Sequence, residues 1–135
     1  YDNLVLNPDN LSEIIAILDW EMATVGDPLM DLGTTLAYWA EAIDSDALKP
    51  FNLTWMPGNF TRAEVVKYYE QQSGVPIDNI VFYYAFGAFK VGVICQQIYF
   101  RFKQGLTKDP RFASLFHVIK ACGENARRAI ERNNI

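Results

Sequence analysis

One histidine and two cysteines in 135 residues leave little material for imidazole or thiolate chemistry. Cys95 and Cys122 lie far apart, each inside an apolar helical pattern, and no C-x-x-C or Cys/His ligand spacing occurs. Both are expected to be buried, reduced thiols. His117 stands on a helical stripe without a visible carboxylate, serine or cysteine partner, which fits a packed or surface histidine better than a catalytic one. Basic residues are in deficit as well. Twelve Lys and Arg against sixteen Asp and Glu give a formal charge of -4, with no basic stripe to neutralise a phosphate backbone. No nucleic acid is expected as a partner. The longest apolar stretch, about 80 to 102, is broken by Lys90, Gln96, Gln97 and Arg101, so no membrane span is expected. No signal peptide is visible. The Asn-x-Thr triplets at Asn52 and Asn59 then read as chance matches in a cytoplasmic protein. Neither a G-x-G-x-x-G nor a G-K-[ST] is present to cradle phosphates. An initiator Met is lacking too: the chain opens on Tyr1-Asp2-Asn3 and reads as a piece of something larger.

What is there is an apolar half, enough for a sizeable core in one domain spanning 1–135. Leu4-Val5-Leu6, the turn residues Asn7-Pro8-Asp9-Asn10, and Ile14 to Leu18 predict a β-hairpin. An irregular connection from Trp20 to Pro28 follows. Leu29, Leu32, Leu36, Tyr38, Trp39 and Ile43 then recur at near-helical spacing and predict a helix over Leu29 to Ala47. The Pro- and Gly-bearing stretch from Ala47 to Asn59 suits a packed loop that could wall a pocket. Thr61 and Glu64 form a capping box, and Gly74 with Pro76 beyond it supplies a stop, predicting a helix over Arg62 to Ser73. Asp78 can cap the next segment, which runs to Gly105 and is apolar nearly all round, as a central, surrounded helix would be. Asp109-Pro110 has the order of a helix start, and the stripe from Phe112 to Ile130 continues it. The fold class is therefore mainly α: a short N-terminal β-hairpin followed by a helical bundle.

Two oxygen-bearing side chains stand at the ends of the hairpin. Antiparallel pairing makes neighbours of Asn3, just before the first strand, and Asp19, just after the second. Magnesium takes oxygen ligands, needs few from a protein, and fills the rest with water and substrate phosphates. In kinase-type phosphoryl transfer an Asn and an Asp divide that task. An Asp after a strand is ordinarily a turn or cap residue, and Asp27 before Pro28 is an ordinary N-cap. The pair gains weight from its surroundings.

Tyr1-Asp2-Asn3-Leu4-Val5-Leu6, then Ile17-Leu18-Asp19-Trp20-Glu21, then Gly26-Asp27-Pro28-Leu29-Met30-Asp31-Leu32 together resemble the second half of the aminoglycoside phosphotransferase/choline kinase-like family. The nearest likeness is to the kinase-like domains fused to some acyl-CoA dehydrogenases. The resemblance implies the C-terminal lobe of a protein kinase-like fold, with 1–28 as the metal-site hairpin and loop and 29–135 as the helical, substrate-side subdomain. It implies that Asn3 and Asp19 hold Mg2+, that Asp31 braces the catalytic loop, and that Glu21 and Asp27 occupy recurrent supporting positions. The family's His-Gly-Asp-x4-Asn loop would end at Tyr1-Asp2-Asn3, which sets the catalytic Asp just upstream of Tyr1. The parent would be a phosphotransferase moving the γ-phosphoryl of ATP to a small-molecule hydroxyl, with this chain inactive alone. A non-catalytic binding or scaffold module of the same fold is the alternative.

Candidates for the substrate pocket are Trp55, in the Pro/Gly-rich loop, and Glu41 and Asp44, which with Asp46 make an acidic patch able to attract a cation. A solvated face explains that patch equally well. Lys90 inside the apolar helix is expected to snorkel or to pair with an acid. Leu4, Leu6 and Ile15 could make an apolar hairpin face that pairs copies of the chain as a homodimer.

Overall fold

The computed structural model describes residues 3–135, the side chain of Met22 excepted. A two-stranded antiparallel hairpin comes first, β1 over Leu4–Asn7 and β2 over Asn10–Ile17. Asn7 Oδ1 accepts from the Asp9 amide, the local bond that lets Asn begin a tight turn. Leu4 pairs with Ile17, Val5 with Ala16 and Leu6 with Ile14, so Ile15 is a bulged residue on β2. Four helices follow: α1 over Pro28–Tyr38, α2 over Arg62–Ser73, α3 over Ile80–Lys103 and α4 over Leu115–Arg132. Short 3-10 turns at Trp20–Met22, Lys49–Phe51 and Pro110–Ser114 connect them. The expected architecture, a hairpin leading into a mostly α bundle, is the one observed.

α3 is the element on which both α1 and α4 pack. Two apolar clusters result. Ala37, Ala40, Leu48, Ala88, Val91, Val118 and Cys122 make one, with Cys95 also buried in it. Leu29, Leu32, Leu36, Tyr84 and Ala129 make the other, covered by Val65, Val66 and Tyr69 of α2. The α1–α3 crossing is close because it is glycine against glycine: a Cβ on Gly33 would run into the Tyr83 carbonyl, and one on Gly87 into the Gly33 carbonyl.

α2 has the expected bounds. Thr61 Oγ1 accepts from the Glu64 amide while Glu64 Oε2 accepts from the Thr61 amide at 2.7 Å, and Gly74 ends the helix at φ 68°. Three expectations are corrected. α1 stops at Tyr38 instead of Ala47, because the carbonyls that would continue it are taken by distant side chains: Tyr38 O accepts from Asn52 Nδ2 and Trp39 O from Arg62 Nε. Asn79, not Asp78, is the residue before α3, and no side-chain cap bond forms there. Nor is α3 surrounded, for Phe82, Phe86, Phe89, Val93 and Phe100 are exposed. By length and composition α3 could cross a membrane, yet here it is the helix that α1 and α4 bury on one side. Cys95 and Cys122 are free and buried, as expected, and His117 is exposed on α4.

Candidate functional site

The hairpin brings Asn3 and Asp19 together. Leu18 N donates to Asn3 O at 2.8 Å, extending the ladder one step past Leu4–Ile17, and Asn3 Nδ2 then reaches Asp19 Oδ2 at 3.2 Å. Asp19 holds this position at φ 68°, ψ 46°, the left-handed region, uncommon for non-glycine residues but one that Asp enters more readily than most where its surroundings fix it. The surroundings do so on its far side, where Trp20 Nε1 folds back to donate to Ile17 O and the chain tightens into a 3-10 turn. The amide nitrogen of Asn3 faces the carboxylate in this contact; with the amide turned over, Asn3 Oδ1 and the Asp19 carboxylate would be oxygen donors of the kind a hard cation such as Mg2+ takes. The donor chemistry fits. Among the described residues no three of His, Cys, Asp and Glu gather into a metal-holding cluster, so a cation here would draw two side-chain ligands from the described residues.

Glu21 lies in the same 3-10 turn, exposed. Asp27 is the N-cap of α1: Oδ1 accepts from the Leu29 amide at 2.9 Å, while Oδ2 accepts from the Tyr83 hydroxyl at 2.8 Å. That hydrogen bond to a carboxylate holds the Tyr83 phenol above its ordinary pKa. Asp31 stands in the first turn of α1, where the helix dipole favours negative charge. The loop from Ala23 to Pro28, with Asp27 and Asp31, walls an open cavity of about 980 Å³ closed by Trp20, Met30 and the α3 residues Phe86 and Lys90. Tyr1 and Asp2, which the resemblance sets at the end of the catalytic loop, lie outside the described residues.

The three pocket candidates lie elsewhere. Trp55 borders a shallow groove with Asp46, Asn52 and Leu53, and Lys49 Nζ sits 5.6 Å above its ring. Asp44 is no part of a solvated acidic face: its side chain is fully buried and paired with Arg62 Nη2, with Arg128 Nη2 at 3.2 Å, and with Asn125 Nδ2 at 3.2 Å. Glu41 accepts from the Arg62 amide at 2.7 Å and lies 3.6 Å from its guanidinium. Both acids are occupied in tying the 41–44 turn to α2 and α4. Of the acidic patch only Asp46 is exposed, bonded to Lys49 at 2.7 Å, and that hydrogen bond holds its carboxyl below the ordinary value. The sequence reading missed Tyr83, Phe86 and the placement of Lys90. Their spacing of three and four residues on α3 is a single stripe, and that stripe was the available signal.

A model of the phosphotransferase enzyme family matches residues 2–65, the segment that contains Asn3, Asp19, Glu21, Asp27 and Asp31. Relatives include acyl-CoA dehydrogenase family member 10 of Mus musculus, 38% identical over 105 residues, 74% of this chain and 10% of that protein. Acyl-CoA dehydrogenase family member 11 of Gallus gallus is 30% identical over 77% of the chain and 14% of its own length. Probable acyl-CoA dehydrogenase IBR3 of Arabidopsis thaliana is 30% identical over 77% of the chain and 13% of its length. The chain thus spans between a tenth and a seventh of these curated relatives. No solved structure matches it. The resemblance to the branch joined to acyl-CoA dehydrogenases agrees with these relatives, and residues 2–65 of the chain are those that match the phosphotransferase enzyme family.

Proposed function

We propose that the chain supplies the metal-holding and substrate-side part of an ATP-dependent small-molecule kinase, transferring the γ-phosphoryl of ATP to a hydroxyl of the acceptor. The observation that supports the reading is the Asn3–Asp19 juxtaposition, an amide and a carboxylate side chain hydrogen-bonded at the open end of a hairpin, with Asp19 in the left-handed region. Asn3 and Asp19 would hold Mg2+, which when bound neutralises charge on the nucleotide phosphates. Asp27, pinned by the Leu29 amide and Tyr83, keeps the 23–28 loop in place. The cavity between that loop and α3 would seat the acceptor. The base that takes the hydroxyl proton would come from the sequence upstream, so the chain alone should not turn over.

The test uses a longer protein that includes the upstream sequence. Magnesium-dependent ATP binding, followed by calorimetry, is expected to weaken at least about tenfold on Asp19→Ala, the loss of one charge-assisted contact of roughly 1.4 kcal/mol or more. ATP binding that is unchanged by Asp19→Ala or by removing magnesium would sink the kinase reading.

The hairpin supports a second proposal, self-association. Every residue of β2 is exposed, Ile14, Ile15 and Ile17 among them, as is Leu6 of β1, and among the described residues the two-stranded sheet leaves both its edges unpaired. Two copies would pair through this face. Light scattering should show the mass rising with concentration and Ile15→Lys abolishing the rise; a monomer throughout would rule it out.

A further inference from the structure

We infer that Tyr83 is a positioning residue for the proposed metal seat, its hydroxyl latching the hairpin to the helical body through Asp27. The inference rests on the reading of the Asn3–Asp19 end as that seat. Little else holds the hairpin in place. β1 and β2 pack on each other while α3 packs on α1 and α4, with no comparable packing of a strand on a helix, and every residue of β2 is exposed. The connection from Ala23 to Gly26 is exposed throughout. Among the described residues no ion pair involves 3–27, and the hydrogen bonds of that stretch end within it or on the first turn of α1, with one exception. The exception is the Tyr83 hydroxyl, which donates to Asp27 Oδ2 at 2.8 Å across 56 positions of the chain.

The donor in this bond is fixed by the core. A Cβ on Gly33 would strike the Tyr83 carbonyl, so the backbone of Tyr83 is pressed against α1, and its ring packs on the cluster of Leu29, Leu32 and Tyr84. Asp27 divides its carboxylate: Oδ1 caps α1 through the Leu29 amide, and Oδ2 serves Tyr83. The cap is local and does not need the phenol, so Tyr83→Phe removes the latch and keeps the helix start. A connection with an exposed backbone and few buried contacts opens at low cost. One hydrogen bond at a half-exposed place then shifts the balance between held and released arrangements about fivefold. Trp20, next to Asp19, lines the same cavity as Phe86 and Lys90. Where the hairpin sits therefore decides where a metal at Asp19 lies relative to that cavity.

The test uses the chain as it is, without nucleotide or divalent metal. Residual dipolar couplings of the backbone amides report how the hairpin is oriented relative to the helices. In the unaltered chain the couplings of β1, β2 and the four helices should fit one alignment tensor. In Tyr83→Phe the hairpin couplings should shrink and no longer fit the tensor of the helices, while those of α1 to α4 stay as they were. Tyr68→Phe, an exposed tyrosine of α2, is the control and should change neither set. A general loss of stability would not produce this split, because it would move helices and hairpin together. Hairpin couplings that keep the common tensor in Tyr83→Phe, or that are already independent of the helices in the unaltered chain, would overturn the inference. No metal or ATP enters this measurement, so it can fail while the Asp19→Ala test succeeds, and the reverse.

Discussion

Asp44 is the residue whose charge the helical body uses most heavily. It is buried among Arg62, Arg128 and Asn125 and also accepts from the Glu41 amide at 2.9 Å. Arg62 is 3% exposed and stacks 5.2 Å from the Tyr84 ring. Removing one partner of a buried pair strands the other charge, so Asp44→Ala should cost about 3 to 5 kcal/mol in urea unfolding. A loss under about 1 kcal/mol would mean that water reaches Arg62. Cys122 is the second residue with a measurable signature. Burial pushes its thiol up to about 11 from an ordinary 9.0. The fold thus favours the neutral thiol, and the sign follows: its contribution is intact below pH 9 and is lost as pH rises from 9 toward 11. That loss is about 2 to 3 kcal/mol. Stability measured against pH should fall across that window and fall less in Cys122→Ala, which is itself less stable at neutral pH.

Among the elements, the α1–α3 crossing is the one that shapes the candidate site. Gly33→Ala places a methyl against the Tyr83 backbone, and overpacking of this kind costs about 1 to 3 kcal/mol, more than the helix-propensity gain of under about 1 kcal/mol returns. Denaturation curves should show a net loss. Gly123→Ala, on an exposed position of α4 where a Cβ meets nothing within 4 Å, should instead stabilise by about 0.5 to 1 kcal/mol. The same crossing explains what the sequence could tell and what it could not. α2 was legible to both ends because its capping box and its left-handed Gly74 are local chemistry. The end of α1 was not, because Asn52 and Arg62, far along the chain, take the carbonyls that would have continued it. The apolar pattern of α3 was legible as helix. Apolarity alone does not distinguish a buried side from an exposed one, and the side bearing Phe82, Phe89 and Phe100 faces out.

For the molecule as a whole, the candidate site divides into a part written locally and a part made by the fold. Asn3 and Asp19 could be placed together from strand pairing alone, since antiparallel register is fixed within one hairpin. The cavity joining Asp31 to Lys90 exists only after α1 and α3 cross, and Asp44 was misread because burial of a carboxylate depends on arginines that arrive from α2 and α4. The open end of the hairpin is the proposed seat of a divalent metal. Mn2+ accepts the same oxygen ligands as Mg2+ and broadens nearby NMR signals. Titrated into this chain, it should broaden the Asn3 side-chain amide and the Asp19 and Trp20 backbone amides first, and Asp19→Ala should remove that selectivity. Broadening that begins at other acidic residues, or that is the same in Asp19→Ala, would contradict the account.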